Sequence, residues 1–182
     1  RTLSAFVIPR SVRAAPVIVT LTEFTKRDLE ARLGVAPERV EVVPPGFDVP
    51  VGAIAADAEP RVRAAYGLGD APYFLFPAKT WPHKNHELLL RAFARVHQQR
   101  PDVLLVLTGG EAHSEGTLTA VARELRIGDA VRRTGRIPAR DVDVLYRGAV
   151  ALAFPSLYEG FGIPVLEAMS RGVPVVTVRD AG

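Results

Sequence analysis

The stretch Phe154-Pro155-Ser156-Leu157-Tyr158-Glu159-Gly160-Phe161-Gly162-Ile163-Pro164-Val165-Leu166-Glu167-Ala168-Met169 decides how the rest of the chain is read. Upstream of it, Gly148-Ala149-Val150-Ala151-Leu152-Ala153-Phe154 is short and nearly all apolar, which suits a strand buried on both faces. Pro155, Gly160 and Gly162 interrupt regular structure. Pro164 fits the first turn of a helix, where its missing N–H leaves nothing unpaired. That helix carries Val165, Leu166, Ala168 and Met169 and stops near Arg171-Gly172. Strand, glycine loop and helix in this order leave the backbone N–H groups of about residues 161 to 165 at a positive helix end, a geometry that attracts phosphate. Glu159 falls on the loop and Glu167 just inside the helix, so both carboxylates can face one ligand from different sides. Taken alone, Glu167 reads equally well as a complement to the helix dipole and Glu159 as a solvated loop residue.

Outward from this stretch, strands and helices alternate. Strand Tyr73 to Ala78 precedes helix Asn85 to Gln99, strand Val103 to Leu107 precedes helix Thr117 to Leu125, and strand Val131 to Gly135 precedes helix Ala139 to Arg147. The strand over 149–154 and its helix follow, then a strand from Pro174 to Val178. Such alternation predicts an α/β fold, a doubly wound, Rossmann-like parallel sheet covered on both faces. In the common 3-2-1-4-5 order, the strand from Tyr73 lies beside the strand ending at Phe154, and the crevice beyond their carboxyl ends is where such folds bind ligands. Both loops entering that crevice carry anion-binding features. One supplies Lys79-Thr80-Trp81-Pro82-His83-Lys84, with two of the chain's three lysines, and the other supplies Glu159 to Pro164. Two lysines on a loop are also compatible with a solvated surface.

The earlier part of the chain is organised differently. Arg1 to Ala15 predicts a basic amphipathic helix with Phe6 and Val12 on its apolar side, read as a surface or interdomain helix. Pro16 to Leu21 reads as a strand, Thr22 caps a helix that ends at Gly34, and Arg39 to Val43 is another strand stopped by Pro44-Pro45-Gly46. The small, proline-containing stretch from Asp48 to Pro60 has no period and reads as a linker, and a short helix from Arg61 to Tyr66 ends at Gly67. The domain plan expected is therefore the tail of a preceding domain over 1–48, a linker over 49–60, and a Rossmann-like domain over 61–182. The chain opens on Arg1 rather than methionine, as expected of a piece of a longer protein.

Composition narrows the classes. At 182 residues, 48% apolar and 24% charged, the chain suits a globular protein with a sizeable core. No apolar run reaches membrane-span length, and zero cysteines rule out a disulfide scaffold or thiolate metal site and suit the cytoplasm. The net charge of +3 disperses 23 basic among 20 acidic residues, and the few aromatics are not interleaved with them, so nucleic acid is not an expected partner. His83, His86, His97 and His113 offer no third ligand at a recognised metal spacing, and no metal is expected. There is no Gly-x-Ser-x-Gly and no Walker loop.

The string from Glu159 to Glu167, with Gly172-Val173-Pro174-Val175-Val176 after it, resembles the glutamate–seven residues–glutamate donor signature of retaining glycosyltransferases of the GT-B type, family four. Lys79 to Lys84, followed by Asn85-His86-Glu87-Leu88-Leu89-Leu90-Arg91-Ala92-Phe93, is similar to the same family's diphosphate loop. There the first basic residue is commonly arginine rather than Lys79, and a glycine commonly stands where Ala78 does. Pro44-Pro45-Gly46-Phe47-Asp48 resembles the turn before the family's second domain. The resemblance covers nearly all of residues 16 to 182 and implies the C-terminal, donor half of a GT-B fold. It implies a nucleotide-diphospho-sugar (GDP- or UDP-linked) as substrate, an acceptor that is a glycan, lipid or small molecule, and sugar transfer with retention, without a resident cofactor or metal. In that picture Lys84 and Lys79 contact the diphosphate with the N–H groups of Gly160, Phe161, Gly162 and Ile163, Glu167 accepts from ribose hydroxyls, and Glu159 faces the transferred sugar. Gly109 leaves room for donor, and the backbone of Arg136-Ile137 touches the nucleobase. Lys84 and Glu159 are the residues expected to bear on catalysis. Cytoplasmic placement is implied, including the inner face of the membrane, with peripheral contact through a domain outside this sequence, and the piece alone is expected to be inactive. A non-catalytic nucleotide-binding or regulatory module, or a sugar-nucleotide epimerase or glycogen phosphorylase relative, shares the architecture and stays open as an alternative.

Overall fold

A computed structural model describes residues 4–47, 55–112 and 114–179. Asp48, residues 49–54 of the expected linker and His113 lie outside the described residues, as do residues 1–3 and 180–182. The chain divides into two compact units, residues 1–48 with 159–162 and 182, and residues 49–158 with 163–181.

The first unit holds α1 (Ser4–Ala14), β1 (Ile18–Thr20), α2 (Glu23–Leu33) and β2 (Val40–Val42). Thr22 caps α2 as its type predicts, its hydroxyl accepting the N–H of Thr25, and Gly34 closes the helix in the left-handed region at φ 63°. The two strands pair in parallel, Ile18 opposite Val40. Lys26 donates to the Val40 carbonyl at 2.9 Å, and Arg39 donates to the carbonyls of Val12, Arg13 and Ala15 at the end of α1. These cations satisfy backbone acceptors in their own unit.

The second unit begins with α3 (Ala58–Ala65) and β3 (Tyr73–Pro77). It continues through α4 (His86–Gln99), β4 (Leu104–Thr108), α5 (Glu115–Glu124), β5 (Val131–Gly135), α6 (Ala139–Gly148), β6 (Ala151–Phe154), α7 (Ile163–Ser170) and β7 (Val175–Thr177). All five strands are parallel in the order β5-β4-β3-β6-β7, which is the doubly wound order expected. Every residue of β4 and β6 is buried, as their unbroken apolar runs require, and Leu75, Phe76, Leu105, Val106, Leu145 and Leu152 fill the interior. Helix α4 packs against α5, and α6 against α3 and α7, the two-sided cover that right-handed crossovers produce. Two helices start earlier than the sequence suggests. α3 takes in Pro60, whose missing N–H is harmless in a first turn, and α5 begins at Glu115 rather than Thr117.

Three polar contacts lock α3 and β3 onto α6. The buried Asp141 carboxylate accepts from Arg61 at 2.8 Å and from the Tyr66 hydroxyl at 2.9 Å. The Arg61 guanidinium holds Asp141 below the ordinary carboxylate range. Tyr73 donates to the Leu145 carbonyl at 2.9 Å, and burial pushes its hydroxyl up to about 12.

Two sites at the top of the sheet are sensitive to substitution. Gly109, just after β4, has φ 128°, and a Cβ there would lie 2.6 Å from the Ala78 carbonyl oxygen, so the two strand ends pass at a distance only glycine permits. Gly109→Ala is expected to lower stability by about 2–4 kcal/mol, read as the denaturant midpoint, from backbone strain plus overlap. His86, the first residue of α4, is 3% exposed with its ring 4.7 Å from that of Phe76. Neither ring nitrogen makes a hydrogen bond of ordinary geometry among the described residues. Burial disfavours its charged form more than the nearby Ala78 carbonyl and Lys84 alter it, and holds it at about 4, against 6.5 when free. The unfolded chain therefore takes up a proton below pH 6.5 that the folded chain refuses until about pH 4, so stability falls as pH drops through that window. Denaturation curves from pH 7 to 4 should show a loss on the order of 3 kcal/mol from this residue, and His86→Leu should abolish that component.

Candidate active site

The switch point of the sheet lies between β3 and β6, where Phe74 pairs with Ala151 and Leu75 with Leu152. After β3 the chain runs through Lys79 to Trp81 and turns in a single 3₁₀ segment, Pro82–Lys84, before Asn85 enters α4 at φ 55°. Proline at the start of that turn pre-sets its backbone, and asparagine tolerates the left-handed position at its end. Thr80 anchors the loop from the other side. Its hydroxyl accepts the Ala112 N–H at 2.6 Å, and its carbonyl accepts the Ser114 N–H at 3.0 Å.

The loop lies against the segment that follows β6. The Lys84 ammonium is 5.7 Å from the ring centroid of Phe154, the last residue of β6. Asn85 donates its side-chain amide to the Pro155 carbonyl at 3.2 Å, and the Leu157 N–H donates to the His83 carbonyl at 2.8 Å. Lys84 thus stands at the carboxyl end of the two central strands, as expected. Lys79 lies just beyond β3, its carbonyl accepting the Trp81 N–H at 2.8 Å.

Glu167 projects from α7 and accepts from the Tyr146 hydroxyl of α6 at 2.7 Å. Tyr146 is 1% exposed, and burial together with the Glu167 carboxylate pushes its hydroxyl well above the ordinary tyrosine value. The phenol therefore stays a donor, and one carboxylate oxygen is held in a fixed direction. Arg171 braces the same place, donating to the Glu167 carbonyl at 2.7 Å and to Asp143 at 2.6 Å. A carboxylate carries about four acceptor positions, so the tyrosine leaves capacity for a further donor.

A cleft of about 420 Å³ opens beyond β3, β4 and β5, lined among others by Thr80, His86, Gly109, Glu111, Arg133 and Gly135. Gly109 sits on its wall, with its N–H donated to the Gly135 carbonyl at 2.8 Å. Arg136 and Ile137 follow Gly135 in the chain. Arg136 is exposed and Ile137 packs in part against the core, and neither lines this cleft. A larger cleft of about 580 Å³ lies between α3 and α6, beside Arg61, Arg140 and Asp143, away from every residue singled out by the sequence.

Of the remaining sequence candidates, Ile163 opens α7, and Gly162 precedes it at φ 82°, where glycine is favoured. Glu159, Gly160, Phe161 and Gly162 group with the first unit. His83 stacks on Tyr158 and His86 is buried against Phe76. Among the described residues no group of three or more His, Cys, Asp or Glu side chains could hold a metal ion, and no helix is long and apolar enough to cross a membrane. Tyr146, Thr80 and Tyr158 were not singled out by sequence reasoning. Each reads locally as a core or loop residue, and only its partner on another element reveals more.

Three comparisons place this geometry among known proteins. The chain is 33% identical over 175 residues to the GDP-mannose-dependent alpha-(1-6)-phosphatidylinositol monomannoside mannosyltransferase of Mycolicibacterium smegmatis, covering 92% of this chain and 45% of that protein. It is 33% identical over 184 residues to the D-inositol 3-phosphate glycosyltransferase of Kribbella flavida, covering 94% of this chain and 42% of that one. It thus spans less than half the length of these relatives. The crystal structure of Anabaena HepE in complex with UDP and glucose superimposes with a TM-score of 0.83 at 22% identity, over 98% of this chain and 48% of that one. That likeness bears on the fold, the doubly wound sheet expected of half of a GT-B protein. The family model for glycosyl transferases group 1 matches residues 59–182, well over half of the sequence, and the chain belongs to that family.

Proposed function

We propose that this chain supplies the donor side of a retaining glycosyltransferase, binding a nucleotide-diphospho-sugar in the crevice beyond β3 and β6. Family membership supports the reaction class, and the M. smegmatis relative is by name GDP-mannose-dependent, while HepE was crystallised with UDP and glucose. A GDP- or UDP-linked sugar is therefore the donor class, and a glycan, lipid or small molecule is the acceptor. In this reading residues 1–48 are the tail of an acceptor-binding domain, 49–60 the linker and 61–182 the donor domain. The protein works in the cytoplasm, at the inner face of the membrane where its acceptor is a lipid, and needs no resident metal or cofactor.

The observation that carries the reading is the Lys84 ammonium at the carboxyl end of β6, where the strand order reverses. Negative charge grows on the leaving diphosphate as the sugar–phosphate bond breaks, so a cation held there stabilises the transition state more than the ground state. Lys79 adds a second charge, and the N–H dipoles of Gly160, Phe161, Gly162 and Ile163 stand in for the positive charge that a metal would otherwise provide. Glu167, aimed by Tyr146, accepts from the ribose hydroxyls. Glu159 faces the transferred sugar and the cationic anomeric carbon. Gly109 leaves space for the nucleotide, and the backbone of Arg136-Ile137 meets the base.

Titration calorimetry of this chain with UDP, GDP and ADP tests the reading directly. UDP or GDP should bind, and Lys84→Ala should weaken that binding at least tenfold, with a loss on the order of a hundredfold in transfer rate in the whole enzyme. Equal affinity of Lys84→Ala and the parent for both nucleotides would remove the diphosphate assignment.

A further inference from the structure

The loop that bears Lys84 is held from outside by a ring pair. The imidazole of His83 and the phenol of Tyr158 stack with centroids 4.8 Å apart and planes 24° from parallel. Tyr158 is 58% exposed, so its ring is not placed there by core burial. Beneath the stack run two directional bonds, from the Leu157 N–H to the His83 carbonyl at 2.8 Å and from the Asn85 amide to the Pro155 carbonyl at 3.2 Å. The segment after β6 therefore holds the chain at His83 and at Asn85, the residues on either side of Lys84.

We infer that Tyr158 and His83 are positioning residues for the diphosphate, acting through Lys84 by fixing the turn from which its ammonium reaches the crevice. The inference rests on the donor-site reading above. Lysine is a point charge on a four-carbon stem and lacks the fork that would orient arginine on phosphate. Where that stem starts is set by the backbone that carries it, and its tip lies 5.7 Å from the Phe154 ring centroid. That backbone is one turn of 3₁₀ helix, too short to be rigid alone. The phenol face clamps the residue immediately before Lys84, so opening the stack loosens the turn and shifts the point from which the ammonium reaches out. Binding then loses the preorganised part of the contact while the charge itself remains.

Calorimetry with UDP, GDP, UMP and GMP on this chain distinguishes positioning from simple support of the fold. Tyr158→Ala and His83→Ala are each expected to weaken diphosphate binding about tenfold. The double variant should be no weaker than either single, since both open one contact. Affinity for UMP and GMP should stay within about twofold, and Tyr158→Phe, which keeps the ring face, should bind as the parent does. The two alanine variants cut the stack from opposite sides, so either serves if the other unfolds. The inference is overturned if diphosphate affinity is unchanged, or if mono- and diphosphate affinities fall together. A parent chain that binds neither UDP nor GDP sinks the donor-site reading, and the positioning role with it. Loss of binding in Lys84→Ala but not in Tyr158→Ala would overturn the positioning role alone.

Discussion

The pairing of β3 with β6 is the constraint on which the rest depends. Phe74 and Leu75 lie opposite Ala151 and Leu152, although the two strands are far apart in the chain. The ring of Phe76 meets that of Phe154 edge-on at 6.0 Å, near the carboxyl ends of both strands. From this pair the crossovers diverge, with α4 and α5 covering one face and α6 and α7 the other, and the segments leaving the two strand ends are bonded to each other at Asn85–Pro155 and Leu157–His83. A parallel pair cannot be joined by a hairpin, and here α4, β4, α5, β5 and α6 lie in the chain between its two strands. The carboxyl end of this strand pair is thus a product of the strand order of the second unit.

Given that pairing, the chemistry is arranged by modest local devices. A proline and a left-handed asparagine bracket the Lys84 turn, and a threonine hydroxyl ties its start to the loop after β4. Between α6 and α7 a buried phenol whose ionisation is suppressed fixes one oxygen of Glu167. The carboxylate is held by a neutral phenol, and the lysine ammonium lies 5.7 Å from an aromatic ring centroid. The chain's overall charge is close to balanced, so attraction for an anion must be local. The remaining arginines are largely spent on structure, as Arg61 on Asp141, Arg39 on the end of α1 and Arg171 on Asp143 show.

Much of this was legible beforehand. The apolar runs of β4 and β6 read as fully buried strands because no polar side chain interrupts them, and each residue of both is buried. Thr22 and Gly34 marked the ends of α2 because capping depends on residue type and immediate neighbours alone. The starts of α3 and α5 were less legible, since helix ends fray and proline in a first turn reads as a breaker. Gly109 read as open space for a ligand, yet its first role is to let β4 pass the Ala78 carbonyl, a contact between strands with no local signature. His83 and His86 read as a histidine pair, and the fold sends one ring to Tyr158 and the other to Phe76.

The sequence by itself determined the alternation of strands and helices, the buried character of the central strands, the caps and the family signature, because all of these follow from periodicity and residue type over short spans. Tertiary structure alone decided which side chains meet. Tyr146 aims Glu167, Tyr158 stacks on the residue before Lys84, and Asp141 gathers Arg61 and Tyr66, through contacts between residues 21 to 80 positions apart, all far beyond a helical turn. Directional bonds and ring contacts of that kind act over a few ångströms in space, and no pattern along the chain records which distant residue will arrive there.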